Sequence, residues 1–123
     1  MSQRPNRVLM VEDSGLIAME ARSSLLELGV SDVALATTVR EATALLDGSA
    51  FDLAILDYNL AGETSEPLAR RLAAQGTPFA IASGDEASAD QFNALGAAWV
   101  IVKPYSQADL GKVLDWAAEL RGG

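Results

Sequence analysis

Short apolar runs alternate with longer amphipathic stretches five times along the chain. Each run has four residues, which is too few for a helix, and most of its side chains are Val, Ile, Leu or Ala. Runs of this kind are typical of strands that are buried on both faces of a parallel sheet. The five predicted strands are Val8–Val11, Val33–Ala36, Leu53–Leu56, Phe79–Ala82 and Trp99–Val102.

A helical pattern follows each of these runs. The predicted helices are Leu16–Leu28, Val39–Leu46, Pro67–Ala74, Ser88–Leu95 and Ala108–Leu120. Capping boxes at Thr38–Glu41 and Ser88–Gln91, and a weaker one at Ser106–Asp109, mark helix starts. The predicted stop signals are Gly29, Gly48, Gly76, Gly96 and Gly122. This order predicts an α/β, doubly wound (βα)5 three-layer sandwich, with a five-stranded parallel sheet and helices on both faces.

Composition narrows the chemistry that such a fold can carry. The chain has 123 residues, 9 basic and 17 acidic side chains, a net charge of -8, and neither cysteine nor histidine. Thiol nucleophiles, Cys-zinc sites and histidine-based catalysis are therefore excluded. The acidic balance argues against direct binding to nucleic acid or to an anionic membrane. We expect one cytoplasmic domain over residues 1–123, with no targeting segment and no output domain in this chain.

Charged or hydroxyl residues with candidate chemistry follow four of the five predicted strands, whereas Thr37 and Thr38 after the second are better suited to capping the next helix. Glu12 and Asp13 come after the first, Asp57 after the third, Ser83 after the fourth and Lys103 after the fifth. In an open α/β sheet the carboxyl ends of the strands form the functional crevice, so these side chains are expected to meet. Clustered carboxylates repel one another and favour a hard divalent cation such as Mg²⁺. With a carboxylate nucleophile, a hydroxyl and an ammonium, they predict a phosphoryl-acceptor site.

Taken singly, each of these residues has an ordinary structural interpretation. Glu12 and Asp13 fit a helix N-cap, and Asp57 fits the start of a turn. Ser83 fits a strand exit, and Lys103 marks only the end of the last strand. Independent turn residues need not supply three acids, a hydroxyl and a cation in matching places, so their joint occurrence favours the site.

Four segments carry a resemblance to a known family. They are Val11–Ser14, Leu56–Glu63, Ala82–Gly84 and Val102–Tyr105. Over nearly its full length the chain resembles the CheY-like receiver domain of bacterial two-component response regulators. The resemblance implies a flavodoxin-like sheet in the order 2-1-3-4-5. It also implies a domain that assists its own phosphorylation and dephosphorylation but turns over no separate metabolite, and so is not an enzyme.

The resemblance further assigns roles to individual residues. Asp57 is expected to accept a phosphoryl group, with Ser83 and Lys103 contacting it. Glu12, Asp13, Asp57 and the backbone carbonyl of Asn59 are expected to hold Mg²⁺. The implied partners are a sensor histidine kinase or a phosphotransfer protein, and a downstream target that reads a change around helix 4, strand 5 and helix 5. A monomer or weak dimer is expected.

One position departs from the usual pattern of the family. Receivers commonly place a Tyr or Phe three residues before the lysine, where this chain has Val100; strand alternation points the neighbouring Trp99 to the opposite face. The segment Thr77–Asp85 is instead similar to a single-domain subgroup with a Pro-Phe-x-x-x-Thr-Gly-Tyr signature. Polar Asn59 and acidic Asp85 flank the site, and we expect them to orient water so that the phosphoryl group turns over quickly.

Two other functional classes fit parts of the pattern. The first is an interaction module that keeps the fold without depending on phosphorylation, with Trp99 and the fourth and fifth helices as a docking face. The second is a metal-dependent phosphatase or nuclease on a similar sheet. The second is weaker, because the first strand ends in Glu12-Asp13 rather than an Asp-x-Asp pair and no phosphate-binding glycine motif is present.

Overall fold

The computed structural model describes residues 5–84, 92, 94, 96, 99–103 and 105–122. These residues contain strands β1 (Arg7–Val11), β2 (Asp32–Ala36), β3 (Leu53–Asp57), β4 (Asn59–Leu60), β5 (Glu63–Thr64), β6 (Phe79–Ser83) and β7 (Trp99–Val102). They also contain helices α1 (Gly15–Glu27), α2 (Val39–Gly48), α3 (Glu66–Gln75) and α4 (Gln107–Gly122). Within this part of the chain, none of the helices is long and apolar enough to cross a membrane.

Five of the strands form one parallel sheet in the order β2-β1-β3-β6-β7. This arrangement confirms the predicted sheet and its order, because these are the five predicted strands in sequence. Every residue of β3 and β6 is buried, as expected for central strands that are covered on both faces. The register sets Val11 beside Leu56 and Asp57 beside Ala82, so the carboxyl ends of the central strands meet at one edge.

Side-chain alternation along the strands produces two apolar layers. Leu9 and Val11 belong to the layer that packs against α2 and α3, whereas Val8 and Met10 belong to the layer that packs against α1 and α4. The sheet is therefore covered on both sides, as the sequence predicts. Both layers reach full burial at the centre of the sheet, which holds the strand ends in a fixed arrangement.

Two of the predicted capping boxes are present. The Glu41 N–H donates to Thr38 Oγ1 at 3.0 Å, and the Glu41 carboxylate accepts from the N–H and hydroxyl of Thr37 at 2.8 and 2.6 Å. At the start of α4 the pairing is reciprocal, because the Asp109 N–H donates to Ser106 Oγ at 3.2 Å and the Ser106 N–H donates to Asp109 Oδ2 at 2.8 Å. Each box satisfies donors that a helix start otherwise leaves unpaired.

The predicted stop signals are confirmed in part. Gly29, Gly76 and Gly96 have left-handed backbones, with φ of 101°, 74° and 95°. Helix α2 does end at Gly48, but Gly48 is its last residue and is followed by an extended Ser49, so the expected left-handed residue is not used there. Gly122 lies within the bounds of α4. Helices can thus end without a left-handed residue when the next residue is extended.

Most of the predicted fourth helix, Ser88–Leu95, and its capping box lie outside the described residues. Phe92 and Ala94 are helical, and Phe92 is fully buried in the layer shared with α2 and α3. Asp85 also lies outside the described part of the chain, as does Pro104.

Two glycines are expected to respond oppositely to alanine. A Cβ on Gly111 would lie 3.8 Å from Leu28 Cδ2, in ordinary contact, so Gly111→Ala is expected to stabilise helix α4 by about 0.5–1 kcal/mol. A Cβ on Gly96 would lie 3.2 Å from Ala73 Cβ at a φ of +95°, so Gly96→Ala is expected to destabilise by about 1–3 kcal/mol. Urea unfolding of both variants beside wild type measures this. A loss at Gly111 equal to that at Gly96 would contradict the packing described.

Candidate functional site

Glu12, Asp57 and Lys103 meet at the carboxyl edge of the sheet, at the ends of β1, β3 and β7. Lys103 Nζ lies 3.1 Å from Asp57 Oδ2 and 3.4 Å from Glu12 Oε2. Glu12 is 1% exposed and Asp57 is 4% exposed, whereas the lysine side chain is 25% exposed. Two buried carboxylates thus share one ammonium, and the site retains an excess of negative charge.

Asp13 completes an acidic cluster. One carboxylate oxygen from each of Glu12, Asp13 and Asp57 lies within 4.8 Å of the others. Asp13 is exposed, so the cluster opens to solvent on its side. Carboxylate oxygens without nitrogen or sulphur donors are the ligands that Mg²⁺ and similar hard cations prefer, and the donor set therefore fits such an ion.

The start of α1 fixes the position of Glu12. Its backbone N–H donates to the carbonyl of Ala36 on β2 at 3.0 Å, and its Oε1 accepts from the Ser14 N–H at 3.3 Å. Ser14 also caps α1, since its hydroxyl oxygen accepts from the Ile17 N–H at 3.3 Å. The carboxylate is therefore oriented by the same turn that begins the helix.

Burial raises the pKa of the Glu12 carboxyl to about 7, and the nearby negative charge of Asp57 adds to the shift. The Ser14 N–H and the Lys103 ammonium lower the pKa of Glu12 but do not cancel the rise. Burial also lowers the pKa of Lys103, yet its contacts with Asp57 and Glu12 raise that pKa by more, so the net shift is upward. The lysine therefore remains protonated while Glu12 titrates near neutrality.

Ser83 is the buried last residue of β6 and lies at the same edge. Its carbonyl accepts a 2.7 Å hydrogen bond from the Lys103 N–H, and it is paired in register with Val102. The sheet therefore brings Ser83 and Lys103 to the site side by side. Asp57 and Ser83, which the sequence places just after their strands, are in fact the last residues of β3 and β6.

Asn59 begins a hairpin that the sequence did not predict. Strands β4 and β5 pair Asn59 with Thr64 through a turn in which Ala61 and Gly62 have φ of 45° and 96°. Leu60 is buried and anchors the hairpin to the core. A left-handed alanine costs conformational free energy, and such residues persist only where the surrounding structure enforces them. The hairpin thus fixes the backbone of Asn59, two residues after Asp57.

Strand alternation at β7 is confirmed. Val100 packs against the layer shared with α2 and α3, whereas Trp99 packs against the opposite layer. The Trp99 ring lies 6.2 Å from that of Trp116 on α4, centroid to centroid. Trp99 therefore serves as packing between the edge strand and α4.

Tyr105 is a feature of the site that sequence reasoning missed. Its hydroxyl is buried and has no hydrogen-bond partner within the part of the chain that the structure describes. Burial, followed by the charges of Glu12 and Asp57, raises the pKa of Tyr105 well above its usual value. The residue also lines a groove of about 370 Å³ that runs from Lys103 between α1 and α4. In the sequence, the one indication of this role is that Tyr105 lies two residues after Lys103.

Comparison with known proteins gives a consistent result. Residues 8–115 match the response regulator receiver domain family. Among solved structures, the chain is similar to the chemotaxis response regulator CheY4 of Vibrio cholerae, with 28% identity, a TM-score of 0.80, and coverage of 90% of this chain and 97% of that one. No curated protein sequence matches significantly.

Two more distant structures share the fold. The receiver domain of Francisella response regulator 1452 has 22% identity and a TM-score of 0.84, over 94% of this chain and 98% of that one. Response regulator TrrA of Thermotoga maritima, solved in complex with Mg²⁺ and BeF, has 19% identity and a TM-score of 0.80, over 91% and 98%.

The raised pKa of Glu12 predicts a pH dependence of stability. Between the unfolded value of 4.5 and the folded value of about 7, the native state binds the extra proton, so the free energy of unfolding falls as pH rises through 7. In chelator, wild type is expected to lose on the order of 1–3 kcal/mol between pH 5 and 8 more than Glu12→Gln does. Urea unfolding at both pH values measures this, and parallel pH profiles would contradict it.

Proposed function

Because this chain belongs to the response regulator receiver domain family, we propose that it is a phosphorylation switch of two-component signalling in which Asp57 is the phosphoryl acceptor. Its partner is a sensor histidine kinase or a phosphotransfer protein that carries the phosphohistidine. The observation that supports this most directly is the buried Asp57 carboxylate, hydrogen-bonded to Lys103 and grouped with two further acids. Receiver domains are signalling modules rather than metabolic enzymes.

The acidic cluster is suited to Mg²⁺. Glu12, Asp13, Asp57 and the carbonyl of Asn59 would hold the ion, and the complex of TrrA with Mg²⁺ and BeF supports this assignment by analogy of fold. When bound, the ion supplies positive charge to the carboxylates and to the phosphoryl oxygens. The hairpin of β4 and β5 contributes by keeping the backbone of Asn59 near Asp57.

Phosphoryl transfer needs a nucleophile and charge stabilisation. A carboxylate oxygen of Asp57 attacks phosphorus and forms a P–O bond, while the P–N bond of the phosphohistidine breaks and the imidazole nitrogen leaves with the electron pair. The protonated Lys103 stabilises negative charge on the phosphoryl oxygens, and the Ser83 hydroxyl donates a hydrogen bond to one of them. Water later attacks phosphorus and forms a new P–O bond, while the bond between phosphorus and the Asp57 oxygen breaks. The carboxylate leaves with the electron pair, and the protons of the water go to the released phosphate and to solvent.

The added group changes the charge of the site. The acyl phosphate carries up to about two negative charges in place of the single charge of the Asp57 carboxylate, beside a lysine that already neutralises only part of the cluster. Lys103 and Ser83 are joined through their backbones, so a response of either side chain reaches both β6 and β7. The surface around the predicted fourth helix, β7 and α4 would report this change to a downstream protein.

Incubation with a small phosphodonor and Mg²⁺, followed by intact-mass measurement, tests the acceptor role. Wild type is expected to gain a single phosphoryl adduct that is absent without Mg²⁺ and absent in Asp57→Asn. Asp47→Asn is the matched control, because Asp47 is exposed and paired with Arg71 away from the site. An unlabelled wild type, beside a control receiver that labels, would favour the phosphorylation-independent interaction module.

The lifetime of the phosphoryl group tests the role of Asn59. The exposed polar side chain is expected to help orient the attacking water, so Asn59→Arg should lengthen the decay half-life several-fold. Glu63→Arg places the same side chain on the facing strand of the hairpin and should change the half-life much less. Decay followed by intact mass distinguishes the two, and equal half-lives in all three proteins would refute the role of Asn59.

A further inference from the structure

Both backbone polar groups of Tyr58, the residue directly after Asp57, make hydrogen bonds. Its N–H donates to the carbonyl of Ala82 at 3.0 Å, and its carbonyl accepts from the Ser65 N–H at 2.9 Å. Ala82 precedes Ser83 at the end of β6, and Ser65 precedes α3. The backbone of Tyr58 therefore links the acceptor strand to two neighbouring elements.

The ring of Tyr58 makes a third link. Its centroid lies 4.7 Å from that of Phe92, at an interplanar angle of 49°. Phe92 is fully buried, and Tyr58 is half-buried against the same apolar layer. Tilted aromatic pairs at this distance attract one another beyond the effect of area burial. Phe92 thus contacts the residue that follows the acceptor.

The Ser65 side chain lowers the stability of the backbone arrangement between Tyr58 and Ser65. Ser65 is fully buried, yet its hydroxyl has no hydrogen-bond partner among the residues that the structure describes, and it does not cap α3. An unpaired buried hydroxyl raises the free energy of the state that contains it. The residue whose N–H pairs with the Tyr58 carbonyl thus carries an unfavourable buried polar group.

We propose that Tyr58 is a positioning residue that transmits phosphorylation of Asp57 to Phe92 through the contact between their rings. The proposal rests on the acceptor role proposed above for Asp57. A phosphoryl group on Asp57 changes the charge and volume beside Lys103, whose backbone N–H is hydrogen-bonded to the end of β6. The Tyr58 N–H is hydrogen-bonded to Ala82 at the same strand end, so a shift of that end reaches the Tyr58 ring and its contact with Phe92.

Hydrogen exchange with Mg²⁺ and beryllofluoride, a stable stand-in for the phosphoryl group, tests this proposal. The readout is the change in amide exchange over residues 85–98 when both reagents are added. Wild type and Tyr58→Phe, which keeps the ring, are expected to show a several-fold change in exchange rate. Tyr58→Leu is expected to lose most of that change. The matched control is Phe51→Leu, which removes a ring from the same apolar layer at a site away from Asp57 and should retain the wild-type change.

Intact-mass labelling with a small phosphodonor, run on the same proteins, separates the two proposals. Labelling of every variant, with loss of the exchange change in Tyr58→Leu alone, would support the transmission through Tyr58. A full exchange change in Tyr58→Leu, or an equal loss in Phe51→Leu or Tyr58→Phe, would overturn the transmission and leave the acceptor role intact. Failure of wild type to label would overturn the acceptor role, and the transmission with it.

Discussion

The burial of two carboxylates against one ammonium is the constraint on which the rest of the site depends. Glu12 and Asp57 are almost completely removed from solvent, and Lys103 contacts both at hydrogen-bond distance. A buried charge without a partner is strongly destabilising. The two buried carboxylates therefore depend on the ammonium of Lys103 for compensation. One ammonium cannot neutralise three acids, however, and the remaining negative charge makes the site receptive to a cation and dependent on pH.

The sheet keeps this unfavourable cluster in place. Glu12 and Asp57 lie at the ends of buried strands whose apolar side chains pack into both layers of the core. The backbone of Lys103 is hydrogen-bonded to the end of β6. Stability contributed by the core thus offsets the cost of concentrating charge at one edge. The left-handed Ala61 lies in the segment that follows Asp57, together with the Ser65 hydroxyl, which is unpaired among the residues that the structure describes. Local strain is therefore concentrated next to the acceptor.

The sequence predicts the sheet well because buried parallel strands are short continuous apolar runs, and it predicts the meeting of Glu12, Asp57 and Lys103 because parallel strands end at one edge. It fails where the signal is short or non-local. Strands of two residues, such as β4 and β5, have no periodicity to detect. Gly48 and Gly76 each follow a helical pattern in the sequence, yet of these two only Gly76 has a left-handed backbone. The contact of Tyr58 with Phe92 joins distant positions and leaves no local pattern.

The dependence of stability on Mg²⁺ tests most directly whether the cluster is a cation site created by excess buried charge. The free energy of unfolding would be measured by urea denaturation in chelator and in Mg²⁺, for wild type and Asp57→Asn. A ligand that binds only the native state raises this free energy by RT ln(1 + [L]/Kd). We expect Mg²⁺ to stabilise wild type clearly and Asp57→Asn much less. Equal stabilisation of the two proteins, or none in wild type, would contradict the account.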